Sequence, residues 1–381
     1  MCCGNNSLEI SKPKETLLFL DEIQACPNAL RALRFFHEKM PELHVIAAGS
    51  LLELALSEIP SFGVGRIESL FMYPMTFAEF LVASGNEPLR EILYAASPDH
   101  PIDPVFHGKL VDQWKIFQLI GGMPEIVEAY AQTNDFSRCQ QLIDSLLTSL
   151  GDDFAKYRKR SPVIKLQETF RSIVMQTGGK FIYANISSGP GSGGYREALD
   201  LLVKAGLAYR ISHSSARGVP LGAQVNPKKF KVMVFDAGIY QRVLGLDLSA
   251  HMTADHIALI NRGHLAELCA GLELIAGRSS HLQPELHYWH REARSSNAEI
   301  DYIISIEDRI YPIEVKAGTK GQMQSMFIFL NERELDRGVR VSAENFGEMD
   351  RIMTIPIYAT SRIWDLLRVP TTSGSETSAS S

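Results

Sequence analysis

Two short apolar runs, separated by a segment with helical spacing, constrain the first part of this chain more than any other feature. Thr16 to Glu22 reads TLLFLDE, and His44 to Ser50 reads HVIAAGS. Between them, CPNALRALRFFHEKM places Leu30, Leu33 and Phe36 among its apolar positions at helical spacing. Continuous apolar runs joined by a helix predict parallel strands buried on both faces, as in an α/β sheet. The 381 residues and 45% apolar content suit two or three domains.

The ends of these runs carry the chemistry. LLFLDE has the form of a Walker B strand, an apolar run delivering Asp21 and Glu22 at its C-terminal tip, where ligands bind in such sheets. In that role Asp21 holds Mg²⁺ through water and Glu22 orients an attacking water. Ser50, at the tip of the second run, is placed to sense a γ-phosphate, and Arg66 to reach a phosphate in its own or a neighbouring subunit. The plainer alternatives are a strand that ends in solvated acids and a surface ion pair for Arg66.

The rest of the chain divides by pattern. RIESLFMYP reads as strand-like and TFAEFLVASG as a helix. Residues 85–108 are rich in Pro, Asp and His and read as a connection. Helical spacing runs from Lys109 to Tyr157, with Gly121, Gly122 and Pro124 marking a sharp turn. From Pro162 to Gly245 the order helix, helix, two strands is that of a winged helix, with SSGPGSGG between the helices. The last third is α/β again: the helix NRGHLAELCAGLELIAG, the strands ELHYWHR, AEIDYIIS and RIYPIEVK, then the helix QMQSMFIFLNER. The expected domains are 1–108, 109–160, 161–248 and 249–369, with a low-complexity tail at 370–381.

A second candidate site lies on those last strands. Asp301, followed by Glu314 and Lys316 in an E-x-K pattern, is the metal-site arrangement of restriction-like nucleases, in which acids bind Mg²⁺ and the lysine stabilises charge. Alternation puts Glu314 and Lys316 on one face. Glu267 supplies a third carboxylate from the preceding helix, and Arg291 and Glu299 are weaker candidates. Ile300, not proline, precedes Asp301, which departs from the nuclease pattern. The alternative is a solvated strand face. His287 and His290 fall on opposite faces of a strand and suit a metal poorly, and Trp289 reads as core. For DNA, the second helix of the winged unit carries Arg196 and Lys204, and its strands carry Lys228, Lys229 and Lys231; KYRKR, Lys156 to Arg160, is a further basic cluster. Glu197 and Asp200 on the same helix favour a protein-docking alternative.

As a set, LLFLDEIQ, HVIAAGSLLELAL, VGRIESLFMYPMTFAEFL and GGMPEIVEAY resemble AAA-type ATPases whose C-terminal portion is a domain of unknown function with a restriction-nuclease-like fold. The resemblance extends through the EVK segment near residue 316 and implies an ATPase using Mg²⁺ and ATP. The fold implied is α/β throughout: a partial P-loop NTPase sheet, a helical and winged-helix region, then a restriction-endonuclease-like domain. One element of the family is missing from the pattern. The residues before Leu17 are too few for a strand, a G-x-x-x-x-G-K-S/T loop and its helix, and SGPGSGGYRE and GTKGQ lack the Lys-Ser/Thr pair. Backbone N–H groups and a lysine hold the phosphates in such loops, so weak ATP binding is expected. The alternatives are a non-catalytic DNA-binding module and a metal-dependent nuclease independent of ATP. A homo-oligomer or a protein partner is compatible with either.

Composition sets the outer limits. The net charge of −6 supplies no global field toward nucleic acid or an anionic membrane. Five scattered cysteines suit reduced thiols. No apolar run reaches the roughly 18 residues of a membrane span. A soluble cytoplasmic protein is expected.

Overall fold

The computed structural model describes residues 14–49, 65–158, 160–187, 193–248, 262–283, 285–291, 298–319 and 321–368. The chain forms two compact units, residues 1–70 with 200–207, and residues 71–199 with 208–381. Both are α/β in character.

In the first unit, β1 (Leu17–Leu20) pairs in parallel with β2 (His44–Ala47), with α1 (Pro27–Lys39) between them in sequence. Pro27 opens α1, where its missing N–H costs no hydrogen bond. Burial on both faces is not met. Leu17 and Phe19 are 54% and 56% exposed, and Ile46 is also exposed. A parallel pair is covered on both faces only when helices lie on each, and among the described residues this pair has two strands. The segment read as strand-like at 66–74 is irregular.

The second unit begins with helices. These are α2 (Phe77–Ala83), α3 (Glu87–Ala95), α4 (Pro104–Ile120), α5 (Pro124–Thr133), α6 (Phe136–Asp153) and α7 (Val163–Gln176). Thr76 and Glu79 form a reciprocal capping box on α2. The expected connection at 85–108 thus contains α3 and the start of α4. After α8 (Tyr195–Lys204) come β3 (Ala208–Ser214), β4 (Val225–Val234), α9 (Ala237–Val243), α10 (Arg262–Ala276), β5 (Leu286–His290), β6 (Glu299–Ile306), β7 (Arg309–Val315), α11 (Gln324–Glu332), β8 (Gly338–Ser342), β9 (Gly347–Met349), β10 (Ile352–Pro356) and α12 (Ile363–Leu366).

The strands from β3 to β10 form one eight-stranded mixed sheet, ordered β4-β3-β5-β6-β7-β8-β10-β9. The pair expected to be a separate wing is instead one edge of this sheet, because β3 pairs in parallel with β5. The helix α11 covers one face of the sheet, where Trp289, Ile300, Ile303, Met326 and Phe329 pack together. Tyr302 points to the other face and donates to the Glu267 carbonyl of α10 at 2.8 Å.

Three segments of the chain meet in one buried junction of this unit. Met75 N–H donates to the Gly122 carbonyl at 2.7 Å, and Gly122 N–H donates to Asp236 Oδ2 at 2.7 Å. Asp236 Oδ1 also caps α9 by accepting from Ile239 N–H at 2.9 Å. The glycines are required by space. A Cβ on Gly122 would lie 2.3 Å from the Met75 carbonyl oxygen, and one on Gly121, at φ +79°, 2.3 Å from Asp236 Oδ1. Glu273 of α10 is buried here, accepts from Phe77 N–H at 2.7 Å, and is pushed up to about 7 by burial. The GGMPE and MYPMTFAEF motifs are therefore packing devices.

Gly122→Ala is expected to cost about 2 kcal/mol or more by forced overpacking, whereas Gly151→Ala in α6, with open space around it, is expected to be neutral or slightly stabilising. Urea unfolding of the two variants checks the contrast. A second expectation concerns pH. Glu273 is neutral in the fold up to about pH 7 but ionises near 4.5 when unfolded, so the native state holds the extra proton between those values. The group's full contribution is present below pH 4.5 and is lost as pH rises through 7, by roughly 3 kcal/mol. Glu273→Gln is expected to flatten that slope in unfolding measured from pH 4.5 to 8.

Candidate functional site

Each unit presents one candidate. In the first, the tips of β1 and β2 are tied by backbone bonds, Ala48 N–H to the Leu20 carbonyl at 2.8 Å and Ile23 N–H to the Ala48 carbonyl at 3.1 Å. Asp21 and Glu22 follow at once and are both exposed. Asp21 Oδ1 accepts from Glu22 N–H at 2.9 Å. Glu22 sits in the left-handed region at φ 48°, ψ 38°, and its carboxylate accepts from Gln24 Nε2. Gln24 also reaches the second tip, since a Cβ on Gly49 would lie 1.9 Å from its Oε1. Left-handed backbone at a non-glycine residue is uncommon and is often held at a site for a purpose.

Arg66 makes an ion pair with Glu38 at 3.3 Å, and Arg34 pairs with the same carboxylate at 2.8 Å. This is the surface pairing weighed above as the alternative. Ser50 lies outside the described residues.

The second candidate is built around a residue that spacing assigned to an exposed wing. Lys231, on β4, is 1% exposed. Its Nζ lies 2.8 Å from Glu267 Oε1 on α10 and 2.6 Å from Glu299 Oε1 on β6. The Tyr288 ring, 5.3 Å from the ammonium, borders it. Burial pulls the lysine pKa down, but the carboxylates of Glu267, Glu299 and Asp301 outweigh it and the net direction is up. Burial, with Asp301 adding to it, pushes Glu267 up to about 8 against the pull of Lys231. One ammonium thus faces the carboxylates of Glu267, Glu299 and Asp301, and burial raises the pKa of Glu267 and Asp301.

A bulge in β6 places Asp301. Between the pairs His287–Ile303 and Trp289–Ile300, two steps along β5 are matched by three along β6. The additional residue resets the alternation, so Ile300 and Ile303 share the α11 face while Tyr302 turns to α10. Asp301 Oδ2 accepts from Val315 N–H of β7 at 2.8 Å, and burial raises its pKa. On β7, Glu314 and Lys316 meet as alternation predicts, with Nζ to Oε1 at 2.6 Å. Burial raises Glu314 while Lys316 lowers it.

Asp301 is therefore within electrostatic reach of Glu267, Glu314 and Lys316. The donor set does not fit a divalent ion, because Lys231 already supplies the positive charge and Lys316 is bonded to Glu314. No group of three or more His, Cys, Asp or Glu side chains among the described residues is arranged to hold a metal. Spacing offers Lys231 as a wing lysine for phosphate, although one signal points to burial: it is a lysine inside the apolar run Phe230 to Phe235.

The remaining residues separate by exposure. Arg196, Lys204 and Lys228 are exposed, as are Lys156, Arg158 and Arg160. Trp289 is core, against Phe329 at 4.9 Å between ring centroids. Arg291 pairs with Glu332 at 2.7 Å. His287 is buried and its pKa is lowered by burial. No helix among the described residues is long and apolar enough to cross a membrane.

Lys231→Met is expected to cost about 3–5 kcal/mol at pH 8, because it leaves buried carboxylates without their counter-charge. The loss shrinks toward pH 5 as those acids take up protons. Urea unfolding at the two pH values measures it; an equal loss at both would remove the charge argument.

Comparison with known families finds three successive matches. Residues 4–81 match a family described as an AAA domain. Residues 111–250 match a domain of unknown function (DUF8612), and residues 262–359 match another (DUF4143). No curated protein and no solved structure matches the chain. The chain is thus AAA-like in its first segment, with domains of unknown function following.

Proposed function

We propose that the chain carries the Walker B part of an AAA-type ATPase-like protein, with Asp21 and Glu22 as its Mg²⁺ and water-handling acids. The observation that supports this most is the meeting of the two parallel strand tips. Leu20 and Ala48 bond to each other there, and the acids stand exposed beside Gly49. The match of residues 4–81 to an AAA domain supports the same reading.

Asp21 has a carboxylate oxygen left for a hydrated Mg²⁺ after accepting from Glu22, and Mg²⁺ commonly binds by one or two carboxylates plus substrate phosphates. The ion would supply charge neutralisation for the phosphates. Glu22 would then be positioned by its left-handed backbone and by Gln24 to accept a hydrogen bond from water. The phosphate side is weaker, since this sequence holds no G-x-x-x-x-G-K-S/T loop and Arg66 is paired with Glu38.

For the second unit we propose a restriction-nuclease-like scaffold without metal-dependent cleavage. The order α10, β5, β6, β7, α11, β8 supports the scaffold, with β5 to β7 antiparallel and β8 parallel to β7. The Lys231 ion cluster argues against cleavage. The helix, helix, strand, strand order α7, α8, β3, β4 leads into it in sequence.

Isothermal titration of the full chain with Mg·ATP tests the first proposal. Affinity is expected at millimolar or weaker, about −4 kcal/mol, and is lost in Asp21→Ala. Binding at any strength that is the same in wild type and Asp21→Ala would remove the strand tip as the nucleotide site. Micromolar binding lost in that variant would show a complete phosphate cradle.

A further inference from the structure

A cleft of about 600 Å³ opens in the second unit beside the Lys231 cluster. Its lining includes His213, Arg217, His290, Arg291, Glu332 and Arg333. The volume is within the range of small-ligand sites.

Arg333 is held rigidly in this wall. Its guanidinium lies 5.5 Å from the Trp289 ring centroid and 5.6 Å from that of Phe329, and its Nε donates to the Ser215 carbonyl at 3.0 Å. Burial lowers its pKa, Glu332 opposes this, and Arg217 lowers it further, so two guanidiniums feel each other's charge. Glu332 is the acid of the lining. It binds Arg291 at 2.7 Å and lies 3.6 Å from Arg333, leaving Arg217 exposed at the edge. On the opposite side, His290 Nδ1 is buried and has no hydrogen-bond partner among the described residues. Burial lowers the His290 pKa, and Lys180, His213 and Lys229 lower it further while Glu299 opposes them. The field at this point is positive although the chain as a whole is acidic.

We propose that this cleft binds a phosphate-bearing ligand, with Arg217 and Arg333 on the phosphate oxygens. A pre-organised guanidinium beside a second, unneutralised one matches phosphate geometry, which arginine meets with paired N–H donors. The carbonyl of His290 accepts from His213 Nε2 at 3.3 Å, which holds the two walls together. Trp289 is buried beneath Arg333 and offers no open face, so recognition is by charge rather than by base stacking. The phosphate could belong to a free nucleotide or to a nucleic-acid strand. The proposal is independent of the nucleotide reading of the first unit.

The test is isothermal titration of the full chain at low salt with AMP, and separately with a short oligothymidylate. At least one probe is expected to bind, at least tenfold more weakly in Arg217→Glu and unchanged in Asp21→Ala. AMP binding assigns a free nucleotide, and oligothymidylate binding alone assigns a strand. Arg217 is exposed, so an unchanged thermal midpoint is expected for the variant, and Arg217→Gln serves if the reversal unfolds it. No binding of either probe, or equal binding by wild type and variant, overturns the proposal. Loss of the Asp21-dependent Mg·ATP signal with the cleft binding intact would count against the first unit alone.

Discussion

A single buried ammonium organises the second unit. Lys231 reaches from β4 to Glu267 on α10 and Glu299 on β6, so an outer strand of the sheet, the helix above it and a central strand share one charge network. Desolvating a lysine is costly, and removing any one partner leaves an uncompensated charge in the interior. The network therefore ties β4 and β6 to the residues beneath α10. Glu267, which spacing offers as a metal carboxylate, pairs with Lys231, while Glu314 of the E-x-K pattern pairs with Lys316.

The first unit presents the opposite situation. Its two parallel strands deliver Asp21 and Glu22 to an exposed tip, where their charges remain available, while one apolar face, Leu17, Phe19 and Ile46, is left open among the described residues. Charge is neutralised internally in one unit and offered to solvent in the other. The basic cleft adds a third arrangement, in which arginines outnumber the acid between them and call for an anion from outside.

Much of the secondary structure was legible from periodicity. The helices at 262–276 and 324–332 and the strands at 286–290, 299–306 and 309–315 fall where apolar spacing put them. The strands at 338–342 and 352–356 went unread, although GVRVS and IMTIP are short β-branched or apolar runs. Glu314 and Lys316 were found because alternation is local. Lys231 reads from spacing as a wing lysine, because its burial follows from α10, which lies far away in sequence. The GGMPE motif stood out as a sharp turn, but its reason, the approach of Asp236 and Met75, is tertiary.

The sequence by itself determined the helices and strands with clear apolar spacing, the acids at the tip of β1 and the E-x-K pair, because each depends on spacing within one element. Tertiary structure alone decided that β3 and β4 join the large sheet, that a bulge in β6 turns Asp301 toward Val315, and that Lys231 occupies the carboxylate cluster. These depend on strand neighbours and on the loss of water around charges, and both are properties of the assembled sheet.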